Sequence, residues 1–193
     1  MTPANDLVEQ AMRAVPRSPF LPPDQRHHAH VDAPVPIGHG QTNSQPYTVA
    51  TMLTLLDVRA GQRVLDLGAG SGWTTALLAQ LVGQSGQVIG VERQAELIEP
   101  ARRALAEAGT GPHAEIRAAS PGVLGAPKDG PFDRILVSAE ADQLPPSLVE
   151  QLADGAVMVI PVASTMLRVT RDGDEVATTE HGAFRFVPLV EDA

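Results

Sequence analysis

Two runs in this 193-residue chain carry residues whose types and spacing suit chemistry. The first is Val64-Leu65-Asp66-Leu67-Gly68-Ala69-Gly70-Ser71-Gly72. Val64, Leu65 and Leu67 read as a buried strand. Gly68, Gly70 and Gly72 let the backbone turn sharply and approach a ligand with no Cβ in the way. Strand, glycine turn and following helix open a nucleotide-binding βαβ unit. The plainer alternative is that the glycines only close a tight turn. Glu92 weighs against it. It ends the next strand-like run, 20 residues past Gly72, where an acidic side chain accepts the ribose hydroxyls of a nucleotide. The second run, Gln41-Thr42-Asn43-Ser44-Gln45, sets five uncharged hydrogen-bonding side chains between Gly40 and Pro46. A helix cap explains one of them. The others are candidates for facing a substrate.

The elements that must position these runs are readable from apolar spacing and from proline. Asn5 to Ala14 is an amphipathic helix, with Leu7, Val8, Ala11 and Met12 on one side and Asn5 or Asp6 as cap. Pro16, Pro19, Pro22 and Pro23 then forbid regular helix, and Phe20 and Leu21 pin this arm to the domain. His27, His28, His30 and His39 suggest a metal. Adjacent histidines point differently, and no carboxylate-rich shell accompanies them, so a structural role is preferred and no metal is expected. Pro34 and Pro36 hold the next stretch extended. Pro46 starts a helix reaching Leu56, and Trp73 to Val82 is the helix after the glycine turn. Gln87 to Val91 is a strand. Ala95 to Ala108 is helical, except that Pro100 predicts a start near Glu99 or a kink. Ala114 to Ala118 and Asp133 to Ala139 are strands, the latter ending at Ser138, where substrate-facing groups are expected. Pro146 to Leu152 is a short helix and Ala156 to Pro161 a strand. Thr165 to Arg171 and Glu175 to Thr179 form a hairpin around Asp172-Gly173, and Phe184 to Leu189 is a last strand.

The alternation predicts an α/β fold: a Rossmann-like three-layer α/β/α sandwich with a mostly parallel central sheet and a short N-terminal helical, proline-rich arm. Residues 1–45 carry the arm and the polar loop and residues 46–193 the nucleotide-binding domain, together one structural unit. A net charge of −9 argues against a nucleic-acid partner. The absence of cysteine rules out disulfides, thiolate nucleophiles and zinc–thiolate sites. No apolar run is long enough to span a membrane, and no signal peptide is visible, so a cytoplasmic location is expected. The oligomeric state is left open.

The glycine spacing is G-x-G-x-G, with Asp66 two residues ahead, a pattern nearer to S-adenosylmethionine-dependent methyltransferases than to nicotinamide enzymes. Pro36-Ile37-Gly38-His39-Gly40-Gln41-Thr42-Asn43-Ser44-Gln45-Pro46-Tyr47, ahead of that turn, resembles the P-I-G-x-G-Q-T-I-S-x-P signature of the protein-L-isoaspartate O-methyltransferase family. Val91-Glu92-Arg93, Pro131-Phe132-Asp133 and Phe186-Val187-Pro188-Leu189 continue the similarity in order, so that it runs from about Val15 to Val190. The resemblance implies S-adenosylmethionine as cofactor, held by Asp66, Gly68, Ala69, Gly70, Ser71, Gly72 and Glu92, with Ser120 beside the adenine. It implies an isoaspartyl-containing protein or peptide as substrate, methylated on its free carboxylate, the ester then collapsing to a succinimide.

Such a carboxylate is already ionised at neutral pH and needs no general base. It must be held in line and stripped of water, which a neutral hydroxyl-bearing loop can do. Thr42 and Ser44 fit that role. Ser44 matches the serine the family treats as its active-site residue, here as an orienting group and not a nucleophile, because no histidine–aspartate pair accompanies it. Two departures stand out. Asn43 replaces the family's isoleucine, and Ser120-Pro121-Gly122 occupies the place of its Gly-Asp-Gly. Loss of that carboxylate predicts a cofactor bound about tenfold more weakly, at roughly 1 kcal/mol for one hydrogen bond. A related methyltransferase of another peptide carboxylate, or a cofactor-binding homologue without catalysis, are the alternatives.

Overall fold

The computed structural model describes residues 3–190. The first helix, α1 (Pro3–Ala14), begins two residues before the expected cap, at a proline suited to a first helical turn. The proline arm does not form α-helix. It makes two tight turns of 3₁₀ helix, Ser18–Phe20 and Pro23–His28, and buries Phe20 and Leu21. The polar loop is more ordered than a loop: β1 (Val35–Gly38) and β2 (Gln41–Asn43) pair as a small antiparallel hairpin turning at His39 and Gly40. Pro46 opens α2 (Pro46–Leu56) as predicted from its fixed φ.

Five parallel strands follow, β3 (Arg63–Leu67), β4 (Gln87–Glu92), β5 (Ala114–Ala118), β6 (Phe132–Val137) and β7 (Leu152–Val162). The antiparallel meander of β8 (Thr165–Asp172) and β9 (Glu175–Ala183) completes a sheet of order β5-β4-β3-β6-β7-β8-β9. The order reverses at β3, which has β4 on one side and β6 on the other. In open α/β sheets the crevice at such a reversal, beyond the strands' carboxyl ends, is where ligands bind.

Side chains alternate across the sheet with period two. Val64 joins one core, with α1, α2, α3 (Trp73–Val82) and α4 (Ala95–Glu107). Leu65 and Leu67 join the other. That second face is covered thinly. Among the described residues, the four-residue helix α5 (Pro146–Val149) supplies Leu148 there, and irregular chain supplies Leu124, Ala126 and Leu144. The β5–β6 connection builds no α-helix because Pro121, Gly122, Gly125, Pro127, Gly130 and Pro131 crowd it.

Three expectations are corrected here. Pro100 neither delays nor breaks α4, which runs continuously from Ala95; the proline sits on the exposed face, where water can satisfy the carbonyl it leaves unpaired. The helix at Pro146 stops at Val149, and β7 starts early, at Leu152, through an irregularity opposite Phe132 and Arg134. Phe184 to Leu189 is not a strand. It is an irregular tail joined by an isolated parallel bridge between Pro188 and Glu140, which lies just beyond the end of β6.

Candidate active site

The site is built from the end of β3 outward. Asp66 shares Val64's face, so its carboxylate is wholly buried against the first turn of α3. There Thr74 Oγ1 and Thr75 Oγ1 both donate to Oδ2, at 2.8 and 2.6 Å, while Oδ1 has no partner. Burial pushes the Asp66 pKa up to about 6; the two threonine bonds pull it down and Glu92 adds to the rise.

The turn beyond Asp66 is held by two kinds of bond. Gly68 N and Ala69 N donate to Val91 O, tying the turn to the end of β4. Gly70 N donates to Glu92 Oε2 at 2.7 Å, and Gln94 N donates to Oε1 at 2.8 Å. Each Glu92 oxygen thus takes one backbone N–H and keeps a lone pair for a further donor. Gly72 sits at φ 90°, behind the turn, where an added Cβ would lie 2.9 Å from Ile116 Cδ1.

Gly68, Ala69, Gly70, Ser71 and Glu92 line a cavity of about 430 Å³ with Thr42, Asn43, Ser44 and Ser120. Asp66 and Gly72 do not line it. Ala119, Val123 and Leu124 add apolar wall, and Val187 to Val190 line the cavity as well. A wall of bare backbone, a carboxylate with spare lone pairs and an apolar recess are what a nucleoside joined to an amino acid requires, so the residues present fit S-adenosylmethionine. Pro121 is exposed and outside this wall, and Ser120 O is engaged by Val123 N.

A second cavity, about 510 Å³, shares Thr42, Ser44, Ser138 and Val187 with the first. Its remaining wall includes Pro34, Tyr47, His181, Arg185 and Phe186. The shared boundary therefore carries three hydroxyls and no charge. Asn43 lines the first cavity alone.

Sequence reasoning passed over the residue that holds this loop in place. Arg17 is 4% exposed. Its Nε donates to Asn43 Oδ1 at 2.7 Å, and its terminal nitrogens donate to the carbonyls of Val31, Ala33, Asn43 and Ser44. Its guanidinium lies 5.5 Å from the centroid of Trp73, whose Nε1 donates to Val15 O. Nothing in a lone arginine among prolines signals this. Glu140 was missed too. Its Oε1 accepts from Ser164 N and Oγ, its Oε2 from Phe186 N, and its backbone pairs with Val187 and Leu189. His27, His28, His30 and His39 line neither cavity, and the rings of His27 and His28 lie 3.9 Å apart, tilted at 44° to each other. Among the described residues no three His, Asp or Glu side chains are placed to hold a metal, and no helix is long and apolar enough to cross a membrane.

A profile of the protein-L-isoaspartate(D-aspartate) O-methyltransferase family matches residues 2–193. A protein-L-isoaspartate O-methyltransferase from Methanopyrus kandleri is 46% identical over 192 residues, covering 96% of this chain and 84% of its own. One from Methanothrix thermoacetophila is 45% identical over 189 residues, covering 96% and 89%. A solved protein-L-isoaspartate O-methyltransferase shares the fold with a TM-score of 0.86 at 24% identity, over 97% of this chain and 62% of that one. A Plasmodium falciparum structure described as the same enzyme, in complex with S-adenosyl-L-homocysteine, gives 0.82 at 25% identity, over 97% and 91%. The cavity at the sheet's reversal, the glycine turn and the order of the motifs agree with these matches, and the chain belongs to the protein-L-isoaspartate(D-aspartate) O-methyltransferase family.

Proposed function

We propose that this chain methylates the free carboxylate of L-isoaspartyl residues in proteins or peptides, the first step of their return toward normal aspartyl linkage through a succinimide. The observation that carries this reading is the boundary shared by the two cavities. A peptide lying in the second cavity brings a carboxylate against Thr42, Ser44 and Ser138, which also face the first. S-adenosylmethionine, when bound, supplies a methyl group on a cationic sulfur, which an ionised carboxylate can take without a general base. Gly68 to Ser71 and Glu92 would hold that cofactor, with Ala119, Ser120 and Val123 around its base.

The work left to the protein is placement and drying. Thr42 and Ser44 hydroxyls can each donate one hydrogen bond to the carboxylate and so fix its direction. A neutral boundary leaves the carboxylate reactive, where a lysine or arginine in the same place would pair with it and blunt it. Val187 on the shared boundary, and Leu189 in the first cavity, add apolar surface beside these hydroxyls.

The test is a paired one. A peptide bearing L-isoaspartate and its normal aspartyl twin are incubated with the protein and methyl-labelled S-adenosylmethionine. Label should enter the isoaspartyl peptide only; equal labelling of both would refute the substrate assignment. Ser44→Ala should bind S-adenosylhomocysteine within about threefold of wild type while turnover drops at least tenfold, about 1.4 kcal/mol of lost positioning. Unchanged turnover would remove Ser44 from the site.

A further inference from the structure

Asn43 joins the two halves of the site with a single side chain. It is 6% exposed, and both ends of its amide are engaged. Oδ1 accepts from Arg17 Nε at 2.7 Å, and Nδ2 donates to Ser71 Oγ at 3.0 Å. Ser71 belongs to the glycine turn that lines the first cavity, and Thr42 and Ser44 flank Asn43 on the boundary with the second. The direction of these bonds is not arbitrary. A guanidinium has donors and no acceptor, so Arg17 forces the amide oxygen toward itself. The amide nitrogen must then face Ser71 and donate. Ser71 Oγ is left as an acceptor on that side, and its own proton turns elsewhere, with the cavity it lines as the open direction.

We propose that Asn43 is a positioning residue. Arg17, Asn43 and Ser71 form a one-way chain of donors that presents the Ser71 hydroxyl to an acceptor oxygen of the bound cofactor and thereby couples filling of the cofactor cavity to order in the Thr42–Ser44 loop. A ligand that accepts from Ser71 strengthens the whole chain, because each bond polarises the next. The loop is tied to Arg17 a second time through the carbonyls of Asn43 and Ser44, so a firmer Asn43 is a firmer loop. An isoleucine at this place could make neither bond. The inference rests on the cofactor reading given above and not on the identity of the methyl acceptor.

Hydrogen exchange of the loop amides, with and without S-adenosylhomocysteine, tests it. In the wild-type protein, saturating S-adenosylhomocysteine should slow exchange at Thr42, Asn43 and Ser44 by about tenfold, a typical size for one coupling between sites. In Asn43→Ile and in Ser71→Ala, saturated with the same compound, the slowing should fall below about twofold, and the double variant should lose no more than either single one. Ser71→Thr, which keeps the hydroxyl, should restore it. Full slowing in either Asn43→Ile or Ser71→Ala, or independent losses in the double variant, would overturn the proposal. So would binding by wild type without protection of the loop. Absence of S-adenosylhomocysteine binding by the wild-type chain would sink the cofactor reading and this proposal together. Loop protection without methylation of an isoaspartyl peptide would leave the coupling standing and remove only the substrate assignment.

Discussion

Asp66 keeps a carboxylate where no solvent reaches it, and the consequence is measurable. Its folded pKa of about 6 lies above the 3.8 of an unperturbed aspartate, chiefly through burial. The folded state therefore holds this proton more tightly than the unfolded chain does. The associated stability is fully present below about pH 4 and is lost as pH rises through about 6. A difference of about two pKa units corresponds to about 3 kcal/mol. Asp66→Asn removes the charge and leaves an oxygen for Thr74 and Thr75. It should raise stability by about 1 to 3 kcal/mol at pH 7.5, with an advantage that shrinks below pH 5, as read by urea unfolding at both values. An advantage independent of pH would mean that Asp66 is not the group titrating. Pro121 is the complementary case, a position where the family resemblance implies a carboxylate and this chain has none. The backbone around it lines the cavity, although its own ring does not. Pro121→Asp should tighten S-adenosylhomocysteine about tenfold by calorimetry, roughly 1.4 kcal/mol. No change would show that the adenine end is satisfied otherwise.

At the level of elements, one glycine turn separates binding from folding. Gly70 and Gly72 both have positive φ, 54° and 90°, but their surroundings differ. A Cβ at Gly72 would press on Ile116 Cδ1 at 2.9 Å and Leu105 Cδ1 at 3.3 Å, inside the contact of α3 with α4 and β5. At Gly70, which lines the cavity, the nearest atom is Ile37 Cδ1 at 3.4 Å, an ordinary contact. Gly72→Ala should therefore lower stability by about 2 to 4 kcal/mol, combining left-handed backbone strain with overpacking. Gly70→Val should cost less than that in stability but more than tenfold in S-adenosylhomocysteine affinity. Equal thermal stability of the two variants would refute the division. The turn itself was readable from sequence because glycine spacing and a strand-end Glu92 are local signals. The extent of α4 was not, because whether Pro100 breaks a helix depends on which face it takes, and here that face is exposed. Arg17 was invisible for a related reason. Its partners lie 14 to 27 residues away, brought together only when the proline arm wraps the hairpin.

Taken whole, the molecule is a sheet with a thick helical layer on one side and a site at its reversal point, bordered by an irregular tail. The parallel sheet was legible in its apolar runs. The tail was misread as a strand because Phe184, Phe186 and Leu189 are apolar, and periodicity alone cannot distinguish a paired strand from a segment that packs by side chains. Phe184 and Phe186 rest on the helical-face core and Leu189 on the opposite one, so the tail spans both layers at the mouth of the site. Glu140 fixes this span by receiving Ser164 with one oxygen and Phe186 with the other. Glu140→Ala removes three side-chain acceptances and leaves the Glu140 backbone bonds to Val187 and Leu189 in place. Since the tail borders both cavities, the variant should weaken acceptor and cofactor together: KM for an isoaspartyl peptide and Kd for S-adenosylhomocysteine should each rise about fivefold to tenfold, on the order of 1 kcal/mol apiece. Unfolding should shift by no more than about 1 kcal/mol, because the sheet and its helices do not depend on the tail. Glu140→Gln, which keeps one acceptor oxygen, should fall between the two. A rise confined to one ligand would mean that the tail serves one cavity and that the shared border is not a single device.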